Sequence, residues 1–247
     1  ILLLVMGLLK AGDHVLCSRS VFGSTVSLFA KEFAKFGVET SFVSQTDLAE
    51  WRAAIQPSTK LLFAETPTNP LTDVCDIAAL ADIAHAAGAL LTVDNTFCSP
   101  ALQRPLALGA DLVMHAGTKY LDGQGRVMAG ALCGPQRLIH DVFGPTLRTA
   151  GMTLSPFNAW VVLKGLETLT LRMKAQSIHP WRGCTTPGWI RIRSMNWPCA
   201  SSRGWAVRCC RSTCAPTDPR PPVPLPSTSS TAPACSASPP TWATPSR

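Results

Sequence analysis

The sequence predicts an α/β protein whose mostly parallel sheet is covered by helices on both faces. Three observations carry this reading. Short, nearly continuous apolar runs recur through the first 177 residues, amphipathic helical segments lie between them, and polar motifs stand where the runs end. In sheets of this kind ligands sit beyond the carboxyl ends of the strands.

Strands are expected at 14–18, 40–43, 61–65, 90–94, 112–115 and 129–133. Helices are expected at 24–36, with Phe29, Phe33 and Phe36 on one face, at 47–55, with Asp47 as N-cap, and at 76–87. No internal repeat is visible. The opening run, residues 1–9, is too short to span a membrane and lacks the initiator Met, basic flank and cleavage site of a leader. It reads as part of a buried helix in a chain that begins inside a longer protein. A cytoplasmic location without membrane association is expected.

Composition divides the chain near Ser177. The 22 Lys and Arg and 15 Asp and Glu balance at 14 each through that residue, while the remainder holds eight Arg and a single acid, Asp218. The whole net charge of +7 therefore comes from the tail, which also carries 13 of the 21 Pro and 6 of the 10 Cys. Globular domains do not usually concentrate Pro, Ser and Thr with so little acid. In the first part Cys17, Cys75, Cys98 and Cys133 are widely spaced in apolar runs, as buried thiols in a reducing compartment would be.

Three polar motifs end strands. Thr118-Lys119-Tyr120 follows the run 112–115 and the small pair Ala116-Gly117, and precedes the turn Gly123-Gln124-Gly125. A lysine at a strand end is usually a solvated charge, but a Schiff-base lysine needs such an apolar approach, since partial burial keeps its amine neutral and nucleophilic. Asp94, in Val93-Asp94-Asn95-Thr96, suits a helix cap, a metal ligand or the partner of a protonated pyridine nitrogen. Glu65-Thr66-Pro67-Thr68-Asn69-Pro70 has two X-Pro steps that fix an extended turn and aim Asn69 toward the same edge.

These stretches, ETPTNP, VDNTF and TKYLDGQGR, with LSPFNAWVVLKGLETLTLRM after them, resemble the Cys/Met-metabolism family of pyridoxal-phosphate enzymes over essentially all of residues 1–177. The resemblance implies an aminotransferase-like (fold type I) large domain on a seven-stranded type of sheet, incomplete at its N-terminus, and a homotetramer acting on a small-molecule substrate. It implies pyridoxal 5'-phosphate as cofactor, with Lys119 as the Schiff-base lysine and Asp94 as partner of the pyridine nitrogen. Asn69 would face the phenolic oxygen, Phe22 would stack on the ring where many members have Tyr, and Thr96 and Thr118 would line the site. Ala116 stands where the family usually has a phosphate-binding Ser.

Within the family, Phe22-Gly23-Ser24-Thr25 with Gly123-Gln124-Gly125-Arg126 is most similar to the branch that replaces the succinate on Cγ of O-succinylhomoserine by sulfide. Lys119 would move protons at the substrate while succinate leaves from Cγ and the thiol adds. The rivals are cystathionine γ-synthase, cystathionine γ-lyase or methionine γ-lyase chemistry, and a non-catalytic, pseudogene-like product.

The resemblance stops abruptly near Ser177. Residues 185–201, back-translated and read from the third base of each codon, give a string similar to the family's continuation, and residues 234–247 behave likewise. Residues 178–247 are therefore expected to be a frame-shifted, largely disordered tail in place of the C-terminal domain, and the chain as written a fragment with little or no activity. A zinc site at Cys209, Cys210 and Cys214 lacks a fourth ligand at suitable spacing. Nucleic-acid binding by the Arg-rich tail lacks helical periodicity and a stacking pattern. Resequencing the gene tests the frame: one or two corrected bases after the codon for Ser177 should restore a family-like C-terminus, and an unchanged reading would sink the expectation.

Overall fold

The computed structural model describes residues 1–69 and 71–178. Strands β1 (His14–Ser18), β2 (Glu39–Val43), β3 (Thr59–Glu65), β4 (Leu90–Asp94), β5 (Leu112–Ala116) and β6 (Gly130–Cys133) form one sheet in the order β2-β1-β3-β4-β5-β6. The first five are parallel, and β6 runs antiparallel to β5. All six expected strands are present to within two residues at either end. The sheet has six strands among the described residues, not seven. The expected tail lies, apart from Ile178, outside those residues.

Strand alternation sorts the core into two layers. Leu16, Leu62, Ala64, Leu91 and Val93 face one side, where α3 (Leu48–Ala53) and α4 (Ile77–Ala86) supply Trp51, Leu80 and Ala84. Val15, Cys17, Leu61, Phe63 and Leu112 face the other side and meet Leu4 and Val5 of α1 (Leu2–Leu8), Phe29, Phe33 and Phe143. Asp47 caps α3 as expected, accepting the N–H groups of Ala49 and Glu50 at 2.9 and 3.1 Å, an arrangement that contributes about 1 kcal/mol. Asp76 caps α4 in the same way through the Ala79 N–H.

Four details differ from the sequence reading. The segment over 24–36 is not one α-helix: α2 (Gly23–Ser27) passes into a wide π turn over Leu28–Glu32 and a tight 3-10 turn over Phe33–Phe36. The change of pitch breaks the 3.6-residue face, so Phe29 and Phe33 pack edge to face while Phe36 is 72% exposed. The opening helix buries only Leu4 and Val5 and leaves Leu2 and Met6 exposed. Cys17, Cys75 and Cys98 are buried thiols, whereas Cys133, the last residue of the outermost strand β6, is exposed.

Short helices α5 (Ser99–Leu102), α6 (Gln136–Leu138) and α7 (Gly144–Thr149) precede α8 (Pro156–Leu166) and α9 (Leu169–Ile178). Neither α8 nor α9 was expected as a helix from the pattern, although Ser155 caps α8 and Pro156 opens it, a common start signal. Among the described residues no helix is long and apolar enough to cross a membrane, and no cluster of His, Cys, Asp or Glu is placed to hold a metal.

The back of α8 presses on the turn that follows β5. A Cβ added at Gly165 would fall on the backbone carbonyl oxygens of Leu121 and Asp122, so only glycine lets the two backbones approach this closely. Gly165→Ala should therefore overpack the contact and destabilise the chain by about 1–3 kcal/mol, measured as a lower urea midpoint. An unchanged midpoint would mean that α8 does not bear on this turn.

Candidate active site

The carboxyl ends of β3, β4 and β5 share one register. Glu65 pairs with Asp94, and Asp94 with Met114, two residues before the end of β5. Since Phe63 and Leu112 face the α1–α2 side, period two puts Glu65, Asp94 and Ala116 on that side too. There they border a cleft of about 710 Å³. All six site residues expected from the sequence, Phe22, Asn69, Asp94, Thr96, Thr118 and Lys119, line it.

Asp94 is the buried charge of the site, 7% exposed. The backbone N–H and the hydroxyl of Thr96 both donate to its Oδ1, at 3.0 and 2.5 Å. Among the described residues no hydrogen bond falls on Oδ2. Burial raises the Asp94 carboxyl above the ordinary carboxylate range, and the Thr96 bonds oppose that shift. The Thr96 hydroxyl also accepts the Ala116 N–H at 2.8 Å, linking the ends of β4 and β5.

Lys119 stands in a π turn, Gly117–Leu121, that it interrupts with a non-helical ψ of −118°. The turn is anchored on both sides. The Gly117 N–H donates to the Ala129 carbonyl at 2.8 Å, and an added Cβ on Gly117 would meet Ala129. The Thr118 hydroxyl receives the Ala129 N–H in a long 3.4 Å contact. From α9, Arg172 donates to the carbonyls of Tyr120 and Gly165 at 2.9 and 2.7 Å. Lys119 itself is exposed, unlike the partly buried lysine expected, although it lines the cleft.

Other placements follow from the loops. Phe22 is the N-cap of α2 and 53% exposed, so its ring presents an apolar wall to the cleft. Asn69 follows a cis Thr66–Pro67 bond and is exposed at the rim. The loop behind it is fixed by buried amides: Gln103 donates to the Thr66 carbonyl and to Asn95 Oδ1, and Asn95 donates back to the Gln103 carbonyl. Arg126 is occupied elsewhere. Its guanidinium and backbone N–H bind the fully buried Asp122 carboxylate at 2.6–2.8 Å and close the Gly123–Gly125 turn, so Arg126 is structural.

Sequence reasoning gave no role to Glu65. The residue lines the cleft, is 5% exposed, and has its carboxyl pushed up to about 7 by burial and by the Asp94 charge. Its signal was visible in the alternation of 61–65, which puts an acid on the same face as the apolar Leu61 and Phe63.

Residues 1–180 match the family model described as Cys/Met metabolism PLP-dependent enzyme. The chain is 62% identical over 177 residues to the O-succinylhomoserine sulfhydrylase of Pseudomonas aeruginosa, covering 72% of this chain and 44% of that protein. It is 45% identical over 190 residues to the O-succinylhomoserine sulfhydrylase of Mycobacterium tuberculosis, covering 74% and 47%. The solved cystathionine γ-lyase of Lactobacillus plantarum, complexed with L-serine, superposes with a TM-score of 0.67 at 39% identity, over 68% of this chain and 44% of that one. The chain thus spans a little under half the length of the curated relatives it matches. A mostly parallel sheet, a lysine-bearing turn beyond β5 and a buried acid ending β4 agree with a match over residues 1–180, and the chain belongs to the Cys/Met-metabolism family of pyridoxal-phosphate-dependent enzymes.

Proposed function

We propose that the chain carries the cofactor-binding half of an enzyme that replaces the succinate bound through oxygen to Cγ of O-succinylhomoserine by sulfide, giving homocysteine and free succinate. The observation that carries this is the convergence of Phe22, Asn69, Asp94, Thr96, Thr118 and Lys119 on one cleft. High identity to a sulfhydrylase over the same residues supports the choice of branch. A homotetrameric assembly and a cytoplasmic location belong to the same proposal, the latter supported by Cys17, Cys75, Cys98 and Cys133, which are free thiols among the described residues.

The cleft suits pyridoxal phosphate by the chemistry of its walls. Asp94 offers a buried carboxylate whose Oδ2 accepts no hydrogen bond among the described residues, the group a protonated ring nitrogen requires. Low local dielectric strengthens that attraction, and Thr96 fixes the carboxylate's orientation. When bound, the cofactor supplies an electron sink for the pair left at the substrate's Cα. Phe22 provides a flat apolar cover, and Asn69 a polar amide at the rim. Lys119 would hold the cofactor's aldehyde through Nζ and would move protons at the substrate carbons. Ala116 contributes no hydroxyl, so no bond to the phosphate comes from its side chain.

Borohydride reduction of the 247-residue chain with pyridoxal phosphate, followed by peptide mass spectrometry, should place the added mass on Lys119. Lys119→Ala should lose the adduct and, in a full-length, frame-corrected enzyme, lower kcat on the order of 10²–10⁴-fold or more. An adduct that persists at another lysine would remove Lys119 from the site.

The full-length enzyme should show a higher kcat/KM with the succinyl ester of homoserine than with the acetyl or phospho ester, and should use sulfide in preference to cysteine. Steady-state comparison of the three esters decides this. Preference for the acetyl ester, or for cysteine, would move the protein to a sister activity.

A further inference from the structure

Glu65 is a buried acid for which the proposed chemistry has no use, yet it touches two of the residues that chemistry needs. Its Oε2 accepts the backbone N–H of Phe22 at 2.7 Å, and the backbone N–H of Asn69 faces the same carboxylate closely enough to favour its charged form. Phe22 is the N-cap of α2 and has no side-chain cap bond of its own; Glu65, from 43 residues away, accepts the N-cap N–H that the N3 glutamate of a capping box ordinarily accepts. The far end of the clamp is rigid. Glu65 closes β3 in register with Asp94, and Gln45 Nε2 donates to its carbonyl at 2.8 Å.

A carboxylate is a costly choice at this place. It is buried, and Asp94 repels it from the neighbouring strand. The other titratable groups around it are the Cys17 thiol on β1, the Ile1 amino group that faces Asp94, and Lys119 across the cleft. Among the described residues no Arg, Lys or His forms an ion pair with Glu65. A glutamine would avoid the repulsion, but it has one acceptor oxygen where the carboxylate has two.

Resting on the reading of the cleft as a pyridoxal-phosphate site, we propose that Glu65 is a positioning residue for the cofactor: its ionised carboxylate clamps the Phe22 and Asn69 backbones together and so sets the stacking ring and the rim amide relative to one another. Protonation removes one acceptor and loosens both. The sign of the pH effect follows from the carboxyl's rise from 4.5 to about 7. Below about 4.5 the fold holds a neutral Glu65 without penalty. As pH rises through about 7 that advantage is lost, while the clamp closes.

The test is backbone amide exchange in the cofactor-free 247-residue chain, read at the segments containing Phe22 and Asn69 and corrected for intrinsic rates. Wild-type protection should rise about tenfold at both segments between pH 6 and pH 8. Glu65→Gln should reduce protection at pH 8 and abolish the difference. In parallel, titration with pyridoxal phosphate should give a Kd about tenfold weaker for Glu65→Gln at pH 8 and nearly equal to wild type at pH 6. Protection that changes at one segment alone, or a Glu65→Gln chain that keeps the wild-type pH profile, overturns the proposal. If that variant does not fold, the wild-type comparison decides, since no joint change between pH 6 and 8 is equally fatal. Absence of a Lys119 adduct with the exchange result intact would overturn the cofactor reading and leave the clamp standing.

Discussion

The site depends on a matter of register. Glu65 lies opposite Asp94 and Asp94 opposite Met114, so three parallel strands finish at nearly one level, and alternation aims their last side chains the same way. A slip of one residue in β4 would exchange Asp94 for Val93 and send the carboxylate into the layer of Leu80 and Ala84. The two apolar layers prevent such a slip, because each strand has large residues committed to both faces. Core packing is in this sense the instrument that aligns the polar edge.

Around that edge polar groups are shared rather than duplicated. The Thr96 hydroxyl donates to Asp94 and accepts from Ala116, so one side chain orients the acid and ties β4 to β5. Gln103 and Asn95 exchange bonds and also hold Thr66, which anchors the loop leading to Asn69. Networks of this kind are stiff because each member is satisfied through the others. Stiffness suits a cleft whose aromatic wall and lysine stand at its open side.

Much of this was legible in the residues, and the limits have physical causes. Apolar runs located the strands among the described residues, most clearly β1, β3, β4 and β5, since buried parallel strands have to be apolar on both faces. Asp47 announced the start of α3 because a capping side chain acts on N–H groups two and three residues away. Local chemistry of that kind is written in local sequence. Phe36 was misjudged because its orientation depends on a change of helical pitch at Leu28–Glu32, which spacing does not encode. The exposed Lys119 was out of reach, since exposure depends on the packing of distant segments, whereas the partner of Arg126, Asp122, stands only four residues before it. Glu65 was within reach: a carboxylate sharing a strand face with Leu61 and Phe63 requires a reason for its burial.

Arg172 links the last described helix to the turn that carries Lys119, through the Tyr120 carbonyl and that of Gly165. During synthesis the chain emerges from its N-terminus, and strands β1 to β6 reach their partners before residue 172 is released. A nascent chain can therefore own strands β1 to β6 and an ordered Asp94 while the lysine-bearing turn still lacks the cation that binds its Tyr120 carbonyl. Anchoring of the lysine-bearing turn thus comes later than formation of the strands beside it.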